Sequence, residues 1–201
     1  MRRFFRPLAP VLAVLSSLSG AAMAMDADPK GAFLPVKAVV PAPEGAAALC
    51  KTYDWACARA GDAGALAAAD AIALARAVNV AANAAIRPIS DQRQYAVAER
   101  WALPTARGGD CEDFALFKKM KLVEAGIAPE RLLLAAVLDR DNKPHAVLVM
   151  RTGRGDFVLD NLTDRILPWT DTGYVFLRMQ DPRAPKGWVS VFARGGADLS
   201  S

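Results

Sequence analysis

Histidine is almost absent from this chain: His145 is the only one among 201 residues. Cysteine is scarce as well, with three copies at Cys50, Cys57 and Cys111. One histidine and one thiol left outside a pair cannot supply the four nitrogen and sulfur ligands of a usual structural zinc site. Long apolar runs are missing after residue 24, so no later segment reaches the ~20 residues that a membrane-spanning helix needs. Excess charge is missing too. The formal net charge is +4, but residues 1–24 hold three of the 25 basic side chains and none of the 21 acidic ones. Without that segment the chain is close to neutral, and charge gives no case for nucleic-acid binding.

The N-terminus reads as a targeting segment. Arg2, Arg3 and Arg6 precede an apolar run from Leu8 to Leu18, and Ala22-Met23-Ala24 fits a small-x-small cleavage signal. Residues 1–24 are therefore expected to be a signal peptide and the mature chain to be periplasmic or secreted. Residues 25–45, rich in Pro, Ala and Gly, read as an extended lead-in. Residues 46–201 are long enough for one domain with a single core. Export permits disulfides. Cys50 and Cys57 are close in sequence and flank Tyr53 and Trp55, so they are expected to pair. Cys111 is then the odd thiol.

Ala46 to about Ala60 reads as a short helix carrying the cysteine pair, broken by Asp62-Ala63-Gly64. Leu66 to Ile86 reads as an alanine-rich helix with Leu66, Ala69, Ala73, Ala77, Val80 and Ala84 on its apolar side. Asn79 and Asn83 lie one turn apart on it, a polar stripe suited to a neighbouring loop. Arg87-Pro88 ends that helix. Tyr95 and Trp101 read as core packing. A helix is expected from Asp110, a good N-cap with Asp113 three residues on, through Phe114, Phe117, Met120 and Leu122 to the stop at Gly126. The pattern then changes to short apolar runs and period two. Strands are expected at 132–139, 145–152, 156–162, 174–179 and 188–192, with turns at 139–144 and 153–155. Helices first and strands after predict an α+β domain with an antiparallel sheet.

The run Gly108-Gly109-Asp110-Cys111-Glu112-Asp113-Phe114 places the odd thiol in the first turn of a helix, where unpaired N–H groups favour a thiolate. Asp110, Glu112 and Asp113 oppose this, because nearby negative charge disfavours another anion. A bound cation would relieve the conflict, and carboxylate oxygens suit calcium. The acids could equally cap the helix and face water. A hairpin turning near Gly153 would set His145 opposite residues 160–163. Asp160 could then hold its imidazole tautomer. Cys111, His145 and Asp160 are the candidate nucleophile, base and orienting acid of an acyl-transfer enzyme.

These residues resemble the bacterial transglutaminase-like cysteine peptidases, the group that includes the LapG-type periplasmic proteases. The resemblance rests on Trp101 with Leu103-Pro104, Gly109-Asp110-Cys111-Glu112-Asp113, His145-Ala146-Val147-Leu148 and Leu159-Asp160-Asn161, and it spans roughly residues 46–192. It implies a papain-like or transglutaminase-like core with N-terminal helices packed on the sheet, and the three roles named above. It also implies calcium bound by Asp110 and Glu112, with Asp113 a further ligand. A protein substrate in the cell envelope, such as a surface adhesin, and an inner-membrane cyclic-di-GMP receptor as regulator are further implications.

Overall fold

The computed structural model describes residues 32–60 and 68–196. The expected signal peptide and the Asp62-Ala63-Gly64 break lie outside the described residues.

Among the described residues, seven strands form one antiparallel sheet in the order β1-β7-β6-β2-β3-β4-β5. They are β1 (Val39–Val40), β2 (Leu132–Leu138), β3 (Pro144–Thr152), β4 (Gly155–Leu159), β5 (Leu167–Pro168), β6 (Val175–Gln180) and β7 (Trp188–Arg194). The helices are α1 (Leu49–Thr52), α2 (Ala68–Ala85), α3 (Asp91–Tyr95) and α4 (Cys111–Glu124). The expected α+β architecture is the one observed. Among the described residues no helix is long and apolar enough to cross a membrane.

The sheet's centre is buried on both faces, and strand alternation divides its side chains between two cores. Leu132 and Leu134 of β2, with Ala146, Leu148 and Met150 of β3, share a cluster with Leu116 and Leu122 of α4 and with Trp101. Leu133, Ala135 and Val137, with Val147 and Val149, point the other way and pack with Leu34, Trp169, Phe176 and Val191. Leu132, Leu133 and Leu134 are each completely buried, and a buried leucine side chain contributes about 2 kcal/mol relative to an exposed one.

Several local expectations need correction. The single helix expected over 46–60 is three short pieces: a 3-10 turn at Glu44–Ala46, α1, and a second 3-10 turn at Asp54–Cys57. The Cys50–Cys57 disulfide closes this region. The lead-in contributes β1 to the sheet edge against β7. The buried side of α2 carries Ala75, Asn79 and Ala82, continued by Ile86 just past its end, while Ala73, Ala77, Val80 and Ala84 are exposed. Alanine on every side of a helix gives its phase no contrast. Tyr95 is half-buried, with the Arg100 guanidinium over its ring, rather than in the core. On α4, Phe117 and Met120 are half-buried, whereas Lys118 and Lys119 are fully buried. Lys119 Nζ donates to Gln180 Oε1 at 2.7 Å, a partner that no sequence period reveals. The strand expected to run to residue 162 stops at Leu159, so Asp160 opens the following loop.

Candidate active site

The nucleophile candidate sits where a turn was expected to start a helix. Gly108 has φ +122°, and a Cβ there would lie 1.8 Å from the Arg87 carbonyl oxygen. Only glycine tolerates that conformation and that approach. The Gly109 N–H donates to the Arg87 carbonyl at 3.1 Å, and the Ile89 N–H donates to the Gly109 carbonyl at 3.0 Å. This short ladder brings Asp91 against Asp110. Asp110 occupies the N-cap position but makes no side-chain capping bond, contrary to expectation. Its Oδ2 accepts the Asp91 N–H at 2.9 Å instead.

Cys111 opens α4 and is half-buried, the one free cysteine among the described residues. Its Sγ lies 3.2 Å from Glu112 Oε2. Burial first, then the Glu112 charge and hydrogen bond, push the thiol well above its ordinary value. The Ala146 N–H faces the sulfur and pulls in the opposite direction. That contact places the thiol one residue from His145, at the start of β3.

His145 Nε2 and Asp160 Oδ1 are 2.9 Å apart, both side chains buried. The β3–β4 register, with Leu148 opposite Leu159, carries Asp160 to this position. Burial alone would raise the Asp160 carboxyl, but the hydrogen bond and charge of His145, the Tyr174 hydroxyl and the Leu162 N–H hold it below the ordinary value. An ionised carboxylate only accepts, so Nε2 carries the proton and Nδ1 is left as the basic nitrogen. Tyr174 donates its hydroxyl to Asp160 Oδ2, and its ring meets the imidazole edge-on at 5.8 Å. Neither role of Tyr174 was expected from the sequence. The Trp101 indole N–H is taken by Glu99 Oε1 at 2.9 Å, which leaves it no spare hydrogen for another acceptor.

The acidic residues around the thiol converge, though not in the expected set. Carboxylate oxygens of Asp91, Asp110 and Glu112 all lie within 4.8 Å of one another. Asp113 is not in that group: its Oδ1 accepts the Ala102 N–H at 2.9 Å. Asp91 was not anticipated. The only sequence signal for it was a helix start at Ser90-Asp91 soon after Pro88. Burial first, then Asp110, push Glu112 up to about 9. Burial pushes Asp113 up to about 7. Burial and Asp110 also raise Asp91. Among the described residues Asp91 Oδ2, Asp110 Oδ1 and Asp113 Oδ2 are buried without a hydrogen-bond partner. Three hard oxygen donors, two with orphaned atoms and two with raised proton affinity, fit a divalent cation such as calcium.

The chain is similar to solved structures and to one family model. Calcium-bound Legionella pneumophila LapG is 25% identical, with a TM-score of 0.53 over 65% of this chain and 74% of that one. A second Legionella pneumophila LapG structure and an EGTA-treated one are 26% and 23% identical, each with a TM-score of 0.47. No curated protein matches. The family model described as bacterial transglutaminase-like cysteine proteinase matches residues 36–195. That span holds both cores except Leu34, with the thiol, the imidazole and the carboxylates, and the chain belongs to the bacterial transglutaminase-like cysteine proteinases.

Proposed function

We propose that this chain is a calcium-dependent cysteine endopeptidase of the periplasm, acting on an envelope protein such as a surface adhesin, with Cys111, His145 and Asp160 as its triad. An inner-membrane cyclic-di-GMP receptor is its proposed regulator. The observation that carries the reading is the His145–Asp160 pair at 2.9 Å, one residue from the Ala146 N–H that faces the Cys111 sulfur.

His145 Nδ1 takes the thiol proton, and Sγ attacks an amide carbonyl carbon. The oxyanion so formed is met by hydrogen-bond donors, for which the Cys111 N–H at the start of α4 is the natural first candidate. The imidazolium, steadied by Asp160, returns its proton to the leaving amine as the C–N bond breaks. A water, deprotonated by the same nitrogen, attacks the thioester carbon; the C–S bond breaks, the acid leaves and the imidazolium returns its proton to the Cys111 sulfur. Asp91, Asp110 and Glu112 are the residues that would hold calcium. When bound, the ion supplies positive charge that offsets the carboxylates opposing the thiolate. With Glu112 so engaged, the carboxylate hydrogen-bonded to Cys111 no longer competes with the imidazole for the thiol.

Iodoacetamide labelling at neutral pH tests the triad. With calcium present Cys111 is expected to alkylate fast, and His145→Ala to slow it by about 100-fold. Equal rates in the two proteins overturn the triad. Asp91→Asn is expected to weaken calcium binding by about tenfold, read by calorimetry, because it removes one ligand charge. Unchanged affinity removes Asp91 from the site. Peptide cleavage assayed beside amine incorporation separates hydrolysis from transamidation.

A further inference from the structure

The acyl-transfer chemistry makes no use of three polar side chains enclosed between α2 and α4. Asn79 and Lys118 are fully buried, and Asn83 is half-buried. The Asn83 amide nitrogen donates to the Asp160 carbonyl at 3.0 Å, the Thr163 carbonyl at 3.2 Å and Asp164 Oδ1 at 2.9 Å. The Asn79 amide nitrogen donates to the Thr163 carbonyl at 3.0 Å. Both asparagines therefore grip the loop that begins at Asp160, as their spacing on the helix suggested. Lys118 Nζ has no hydrogen-bond partner among the described residues, and neither do the Asn79 and Asn83 side-chain oxygens. The ammonium lies 5.6 Å from the Phe114 ring centroid. Burial lowers the Lys118 ammonium to about 8, and the charges of Asp160 and Asp164, both of which Asn83 also contacts, oppose that shift.

A leucine at position 118 or 79 would satisfy a helix interface without burying a charge or an amide. A buried ammonium is costly unless opposite charge answers it. The carboxylate that orients His145 is one of the two that do. We infer that Asn79, Asn83 and Lys118 are positioning residues for Asp160: the two amides hold the 160–164 loop by its carbonyls, and the lysine supplies the counter-charge from α4, so that Oδ1 stays on His145 Nε2. For catalysis this rests on the proposed triad; for the geometry of the imidazole it stands alone.

Because His145 is the only histidine, a long-range proton–nitrogen NMR spectrum of the chain carries a single imidazole signal. The wild type is expected to show protonated Nε2 with a downfield, carboxylate-bound proton. Asn83→Ala and Lys118→Met are each expected to lose or broaden that proton. Each is also expected to slow iodoacetamide alkylation of Cys111 in calcium by about tenfold. Ala82→Gly, which weakens α2 without touching the loop, is expected to leave the proton in place. If Asn83→Ala does not fold, Lys118→Met, which removes charge at similar volume, decides the matter. Wild-type imidazole signals in the folded variants overturn the inference, as does an equal loss in Ala82→Gly. If wild-type alkylation proves independent of His145, the proposed triad fails, while the imidazole proton still decides the positioning role.

Discussion

At the scale of single residues, the candidate site was readable because the side chains that could form one are so few. One histidine and one thiol without a partner left a single pairing to consider, and the fold does bring Cys111 beside the start of β3 and His145 onto Asp160. Asp91 was not readable. It stands nineteen residues before Asp110, and only the backbone ladder from Arg87 to Gly109 makes them neighbours. Tyr174 was hidden for a similar reason, since its hydroxyl reaches Asp160 from another strand region. The hydroxyl shares the work of holding that carboxylate ionised. Tyr174→Phe is expected to cut kcat by about tenfold with little change in KM, because a hydrogen bond to a charged group is worth about 1.5 kcal/mol. An unchanged kcat would show that the carboxylate is held without help from the hydroxyl.

At the scale of elements, the helices and strands were placed well where hydrophobic contrast was strong and badly where it was weak. Between Leu132 and Arg194 every strand except the two-residue β5 follows from short apolar runs between turn residues. The phase of α2 did not follow, since alanine lies on all its sides and the buried stripe includes Asn79. The start of α4 shows a second kind of limit: Asp110 has the identity of a capping residue, yet its carboxylate is spent on Asp91. This element carries a pH signature. An acid whose folded value is raised binds more protons folded than unfolded, so its contribution is full at low pH and lost as pH climbs through the folded value. Glu112 at about 9 and Asp113 at about 7, against ordinary values of 4.5 and 3.8, set that window. In chelator the melting temperature is expected to fall as pH rises from about 5 to 9, and calcium is expected to flatten the slope. A chelated chain with no such decline would contradict the electrostatic account of the site.

At the scale of the whole molecule, one sheet separates two cores where a single core was expected, because β2 and β3 are apolar on both faces. The segmentation of residues 44–57 was not, because the disulfide and the sheet edge, rather than helical propensity, decide its course. The eight-residue loop closed by Cys50 and Cys57 is short. Replacing both by serine is expected to lower stability by about 2.5 kcal/mol, measured by denaturant melts. An unchanged midpoint would mean that the bridge constrains little in the unfolded chain. The pairing of Asp91 with Asp110 has a wider consequence. The intervening stretch, residues 92–109, is a strap fastened at its two ends by the same three carboxylates. An ion that fills them would act as a clasp on that strap, and nicking there by trypsin, at Arg93, Arg100 or Arg107, should then report occupancy without any assay of the thiol.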